Sequence, residues 1–515
     1  MGDDRLHVRD ATGRPFLTLD ASGGVTGFCG HVDLGTGIET ALAQIVAEEL
    51  ELPLDAVTMV LGDTERTPDQ GPTIASETIQ VSAVPLRHAA ATLRAELAAR
   101  GARRLNAPVA EVTFDAGSVR HGDAVVGFAA LLDAGDHAIA LDGTAPLKSP
   151  SDYTLVGRPT GRRDLPAKVA GRFAYIHDVV VDGMLHGHVV RPPYAGRDSG
   201  AFVGTSLLGY DEAAIAGREG FVAVVREADF LGVVATRSDL ARPLAESLPV
   251  RWRTPPHLPD MDDLAATIRE QPSTPRVLDV AGDFAEGLRD SDRTLRRSYV
   301  WPYQLHGSIG PSCAVADWAS GDPVVWTGSQ NPHMLRDDLS LLTGIPAHRI
   351  DVRRHQAAGC YGRNCADDVA GDALLLSRAV GHPVRVQLTR AQETLWEPKG
   401  AAQVMDVEGG LRDGCLHAYG LDTWYPSNRG PNLALLLTGR IAPDLRPVEM
   451  GDRTIVPPYR IPNKRIIVHD LAPIVRAAWI RGVSALPNTF AHECFIDEMA
   501  AEAGEDPVAF RLAHV

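Results

Sequence analysis

Four short loops, at 35–40, 73–78, 304–311 and 359–362, gather the residues best suited to hold a polar ligand. A glycine loop that opens a helix brings backbone N–H groups close to an anion or to the polar edge of a ring. Gly35, Thr36 and Gly37 stand in such a place, as do Gly359, Cys360, Tyr361 and Gly362. Thr73, Ala75 and Ser76 form a small, hydroxyl-bearing turn ahead of an alanine-rich helical stretch. Gln304 carries a donor and an acceptor on one amide. A single glycine loop is often only a turn, but four in one chain point to a common ligand. That ligand is not ATP or NAD, because Gly35-Thr36-Gly37 lacks both the Lys-Ser/Thr of a phosphate loop and the third glycine of a dinucleotide fingerprint.

Direct metal ligation by protein side chains is not expected. Cys360 and Cys365 are two thiols without a histidine or further cysteine following, too few for a metal site. No Cys-x-x-Cys occurs, so any iron–sulfur cluster belongs to another chain. Asp367 and Asp368 read as charges at the positive end of a helix predicted over 366–380.

The elements that must position these loops are written twice. Val32–Gly37 leads into a helical pattern over 41–50 (Leu42, Ile45, Val46, Leu50), then Pro53 and a strand at 57–61. Val324–Ser329 leads into a pattern over 334–342 (Leu335, Leu339, Leu342), then Pro346 and a strand at 350–352. In both copies the proline follows the glycine (Gly35 or Gly328) by 18 residues and the next strand residue follows by four. Helical periodicity closed by proline and followed by alternation predicts two similar lobes packed around something between them.

With 515 residues, 44% of them hydrophobic, the chain can bury a large core and should divide into three or four domains. A net charge of −16 disfavours nucleic acid and anionic membrane surfaces as partners. No apolar run approaches the length of a bilayer span, and the polar start Met-Gly-Asp-Asp-Arg shows no leader, so the cytoplasm is the expected compartment. Six scattered cysteines suit a reducing environment. Composition places seams near 144–163 and 254–275, giving an α+β architecture with a first lobe at 1–145, a compact α+β unit within 150–256 and a main lobe at 276–515.

Gly30-His31-Val32-Asp33-Leu34-Gly35-Thr36-Gly37-Ile38-Glu39-Thr40, followed by Pro68-Asp69-Gln70-Gly71-Pro72-Thr73, resembles the molybdopterin-binding subunits of the xanthine dehydrogenase and aldehyde oxidase family. The likeness is to the branch with isoquinoline 1-oxidoreductase and nicotinate dehydrogenase, and it covers nearly the whole chain. Val156-Gly157-Arg158-Pro159, Asp164, Lys168–Gly171 and Arg191-Pro192-Pro193 resemble the family's small α/β hammerhead domain. Gln304-Leu305-His306 is similar to the motif whose glutamine approaches a ligand of molybdenum. Gly359-Cys360-Tyr361-Gly362 stands where the family has Gly-Gly-Phe-Gly beside the metal, and Arg481-Gly482 stands at its Arg-Gly loop near the pterin.

The resemblance implies a molybdenum hydroxylase component holding molybdopterin cytosine dinucleotide and acting on an N-heteroaromatic substrate, with water as oxygen source. Electrons would leave through a separate [2Fe–2S] subunit and then a flavin (FAD) or cytochrome partner. Two departures matter. Gly310 occupies the place of a glutamate that many relatives carry six residues after the glutamine, and Tyr361 adds a hydroxyl near the substrate. The family's later Gly-Glu, its general base, finds no match, since Gly504-Glu505 reads as a capping turn. The base is therefore expected on a second chain that carries the missing C-terminal segment. Aldehyde oxidation on the same scaffold, or a non-catalytic assembly role, are the competing expectations. Carbon monoxide dehydrogenase is disfavoured because no cysteine stands in the loop context expected for its copper-bridging thiolate.

Overall fold

The computed structural model describes residues 4–193, 203–254, 259–363 and 368–515. Cys365 and Asp367 lie outside the described residues. The chain divides into two compact units, the first formed by Met1–Gly187, Ser312–Cys360 and Val369–Gln387, the second by His188–Pro311, Tyr361–Asp368 and Leu388–Val515.

In the first unit, strands Val57–Leu61, Val25–Cys29, Pro15–Asp20, Arg5–Arg9 and Asp136–Ala140 form a mixed sheet in that order. Helix Ile38–Leu50 turns Leu42, Val46 and Leu50 onto this sheet, and helix Ala83–Leu105 adds Leu86, Leu93 and Leu97. A small meander, Thr113–Asp115, Ser118–His121 and Ala124–Gly127, turns at the predicted Gly117 and Gly122, both with positive φ. Elsewhere in the unit, Val324–Thr327 pairs parallel with Asp351–Arg354 and antiparallel with Cys313–Asp317.

The repeat is real and closer than expected. Each copy is a parallel strand pair joined through a helix, Val25–Cys29 to Val57–Leu61 and Val324–Thr327 to Asp351–Arg354. Each proline is followed by a single 3-10 turn, Leu54–Ala56 and Ala347–Arg349. Two expectations are corrected. The first copy's strand ends at Cys29, and Val32 lies in the loop, buried with its N–H donated to Thr73 Oγ1, because an apolar loop residue under cover mimics a strand residue in sequence. Both copies also belong to one unit rather than to two lobes. They meet at Gly62, where an added Cβ would lie 2.3 Å from Val32 and 3.4 Å from Pro332.

The second unit is built on a five-stranded sheet in the order Ser273–Ala281, Asn463–Leu471, Cys415–Pro426, Gln403–Arg412, Arg293–Trp301. Helix Ala485–Ala503 covers it, packing Ala491, Phe495, Ile496 and Met499 against Met405, Val407 and Tyr419. Glycine at 409 makes room for this helix, since a Cβ there would lie 2.8 Å from the Phe495 ring. A separate cluster of Leu207, Ile215, Leu231, Val233, Leu244 and Leu248 ties the hairpin Phe221–Glu227/Phe230–Ala235 to helix Ser238–Glu246. The helix Ala485–Ala503 ends on Gly504 at φ 74°, with Glu505 N–H returning to Ala500 O, the capping turn expected there.

Candidate cofactor site

In the first unit the conspicuous glycine loop already holds an anion of its own. Asp33, 2% exposed, accepts backbone N–H groups from Gly35 (2.7 Å), Thr36 (3.0 Å) and Gly37 (3.4 Å) on Oδ1, and from Glu39 (3.1 Å) on Oδ2. These donors, read from sequence as available to a ligand, are occupied by an acid two to six residues away. Asp33 belongs to the motif, yet sequence reasoning assigned it no role. Its backbone O accepts from the Arg354 guanidinium, which ties the first repeat to the second. Upstream, Gly30 must be glycine because an added Cβ would stand 2.3 Å from Pro68 O. Gln70 then bonds Gly30 N–H through Oε1 (2.9 Å) and Ser82 O through Nε2 (2.8 Å). The two halves of the sequence motif are thus one hydrogen-bonded structure.

Thr73 is fixed by reciprocal bonds to Gln330. Its N–H donates to Gln330 O (2.9 Å), and Gln330 Nε2 donates to Thr73 O (3.0 Å). Gln330, 3% exposed, also accepts the Cys360 thiol on Oε1. A residue absent from the sequence reading therefore joins two of the predicted loops. Ala75 and Ser76 are consecutive non-glycine residues at φ 54° and 60°, and a π-turn at Thr78–Ser82 follows. Such backbone is costly and concentrates at functional sites. Gly359 has φ 102°, and Cys360 is 4% exposed.

In the second unit a short rail of backbone carries the remaining candidates. Gln304 and Gly400 exchange both main-chain bonds (Gln304 N–H to Gly400 O, 3.2 Å; Gly400 N–H to Gln304 O, 2.8 Å). On the rail's other side Lys399 donates to Arg476 O (2.9 Å) and accepts from Ala478 N–H (2.9 Å). Arg481 and Gly482 follow directly. Gln304, Arg481 and Gly482 line one cleft with Trp301, Tyr425 and Ile480. Tyr361, at φ 59° and 39% exposed, lies beneath the Arg481 guanidinium, 5.6 Å from ring centroid to charge, and its carbonyl accepts Arg481 N–H (2.7 Å). Gly362, φ 109°, presses against the 479–480 backbone so closely that a Cβ would fall 1.8 Å from Trp479 O.

Buried charge surrounds this arrangement. Arg363 pairs with Glu393, both nearly inaccessible, and reaches Gly310 O (3.4 Å). Glu397 Oε1 accepts His306 N–H (2.9 Å), and His306 Nε2 donates to Trp479 O (2.8 Å), which fixes its neutral tautomer. Burial pushes His306 down to about 4, with Arg363 and Lys399 adding to the effect. Burial, and then the neighbouring Glu393, raise Glu397 above the usual carboxylate range. Burial lowers Lys399 to about 8. Asp368 opens its helix as expected, but its carboxylate also pairs with Arg476 and accepts Leu433 N–H (2.8 Å). Among the described residues no group of three or more His, Cys, Asp or Glu is arranged to hold a metal ion.

Family models described as molybdopterin cofactor-binding domain match residues 9–201 and 270–515. The chain belongs to the molybdopterin-binding subunits of the xanthine dehydrogenase family. It is 54% identical over 503 residues, 97% of its length, to one subunit of the nicotinate dehydrogenase of Pseudomonas putida, and spans 42% of that relative. It is 24% identical over 97% of its length to the β chain of isoquinoline 1-oxidoreductase from Brevundimonas diminuta, covering 70% of that protein. The aldehyde oxidoreductase of Desulfovibrio gigas shares the fold, with a TM-score of 0.58 at 21% identity over 73% of this chain and 45% of its own. Quinoline 2-oxidoreductase of Pseudomonas putida 86 gives 0.57 at 19%, over 70% and 50%.

Proposed function

We propose that this chain holds molybdopterin cytosine dinucleotide and, as part of a larger enzyme, helps hydroxylate an N-heteroaromatic ring of the nicotinate type with water as oxygen source. The observation that carries the reading is 54% identity across 97% of the chain to a relative named for nicotinate. Among the residues lining the cleft, the Gln304 amide and the exposed Arg481 guanidinium are donors of the kind that suits the anionic groups of such a cofactor. We assign Gly35, Thr36, Gly37, Thr73, Ala75, Ser76, Gly359 and Cys360 of the first unit, and Gln304, Tyr361, Gly362, Arg481 and Gly482 of the second, to the cofactor. With the Gly35–Gly37 N–H groups engaged by Asp33, that loop meets it through its remaining atoms.

When bound, the molybdenum centre supplies the redox chemistry, while the protein holds and orients it. Tyr361 and Gly310 stand nearest the substrate in this reading, and the Tyr361 hydroxyl donates to a ring nitrogen or carboxylate. The general-base carboxylate comes from polypeptide outside these 515 residues, and electrons pass to a [2Fe–2S] subunit and on to a flavin or cytochrome. The segment 150–256 serves as the hammerhead domain. The scattered cysteines suit a reducing compartment, here the cytoplasm, and among the described residues no helix is long and apolar enough to cross a membrane.

The test is metal and nucleotide analysis of the complex purified from a host competent in molybdopterin synthesis, with turnover of nicotinate compared with that of an aromatic aldehyde. Stoichiometric molybdenum with released CMP, and preference for the ring, are expected. Absence of molybdenum refutes the reading, and aldehyde preference transfers it to the aldehyde-oxidising relatives. Tyr361→Phe should raise KM for the ring substrate, and unchanged kinetics would remove that residue's role.

A further inference from the structure

We infer that Glu397, with Glu393 one turn before it, is a positioning residue that clamps the Gln304 loop and the Tyr361–Arg363 segment to a single helix. The link to catalysis rests on the function proposed above. The clamp itself does not.

The helix Arg390–Trp396 begins rigidly, with Thr389 and Gln392 forming a reciprocal cap. From it, three side chains take hold of one loop by its main chain. Arg390 donates to Ser308 O (2.7 Å) and Ile309 O (2.6 Å). Glu393 pairs with Arg363, whose guanidinium reaches Gly310 O (3.4 Å). Glu397, just past the last turn, accepts His306 N–H at 2.9 Å. The loop is thus gripped at residues 306, 308, 309 and 310, immediately after Gln304, which is itself paired to Gly400 three residues beyond Glu397.

Stability alone does not account for this design. Glu393 and Glu397 are 1% and 3% exposed and of like charge, spaced four apart so that they share a helix face. Glu397 Oε2 has no hydrogen-bond partner. Glu393 is compensated by Arg363, but the half-satisfied Glu397 carboxylate beside it is disfavoured relative to an apolar side chain of similar volume. What the carboxylates supply is geometry. Each ends on a different segment bearing a candidate cofactor residue, and both start from the same rigid helix.

The experiment compares Glu397→Leu, Glu397→Asp and Glu397→Gln with the native chain by hydrogen exchange. Leu removes the acceptor, Asp withdraws it by one methylene, and Gln keeps it through its amide oxygen. We expect exchange in peptides covering 304–310 to quicken about ten- to a hundredfold in the Leu and Asp proteins, while strand Gln403–Arg412 keeps its protection. Gln should restore protection to within about threefold. In the assembled enzyme the Leu and Asp proteins should lose kcat at unchanged KM and unchanged molybdenum content. Native-like exchange at 304–310, or uniform loosening of the whole unit, overturns the clamp, and the Asp protein decides the matter if the Leu protein does not fold. Local loosening in a protein that never acquires molybdenum leaves the clamp standing and removes the functional reading instead.

Discussion

Acid should release the Gln304 loop through His306, by an amount the structure allows one to work out. The ring is 6% exposed and donates Nε2–H to Trp479 O, while its Nδ1 is buried without a partner. A second proton would therefore have nowhere to bond. Folding holds the imidazole at about 4 against an ordinary 6.5. A base whose folded value is depressed contributes stability that is present above 6.5 and is lost as the pH falls toward about 4. At about 1.4 kcal/mol per unit the full contribution is about 3 kcal/mol, of which about 2 kcal/mol should be gone by about pH 5. Urea unfolding at about pH 7 and about pH 5 measures this when native protein is compared with His306→Gln, whose amide can still donate to Trp479 O. Other buried histidines, such as His188, cancel in the comparison. The native chain should lose about 2 kcal/mol more than the variant over that interval. Equal losses would show that His306 does not carry the acid response.

Gly362→Ala, with its Cβ 1.8 Å from Trp479 O at φ 109°, should cost about 3 kcal/mol or more in thermal or urea unfolding. Gly307→Ala, at φ 64° in open space, should cost only about 1 kcal/mol, so the difference reports the close approach rather than backbone handedness. Asp33→Ala removes the acceptor for four N–H groups and should destabilise the first unit by about 2–4 kcal/mol, with Asp33→Asn, which keeps one acceptor oxygen, recovering more than half; an Asp33→Ala protein as stable as the native chain would show that the carboxylate is not what organises the loop.

The repeat could be read in the chain because proline and glycine punctuate it locally. Pro53 and Pro346 each follow the end of a helix by three residues and start the same 3-10 turn. Asp33 was within reach of the same reasoning, since an acid just before Gly-Thr-Gly is a local capping pattern. Gln330 was not, because its partners Thr73 and Cys360 lie 257 residues before it and 30 after it. Glu393 and Glu397 were hidden for another reason. On a helix such charges ordinarily face water, and only long-range packing turns this pair inward. Gln304, Tyr361 and Arg481-Gly482 were assigned through family resemblance, and the folded chain adds how their neighbours hold them.

Lys399 joins the rail through its peptide unit, N–H to Arg476 and carbonyl to Ala478, while its Nζ donates separately to Glu397 O (2.7 Å). Truncating its side chain would remove the Nζ bond but leave the main-chain connection whole, so alanine replacement would report on the former and pass over the latter. Proline, which deletes the donor, would expose it. Part of what shapes this cleft is thus written in atoms that every amino acid shares, where neither side-chain scanning nor residue identity can register it.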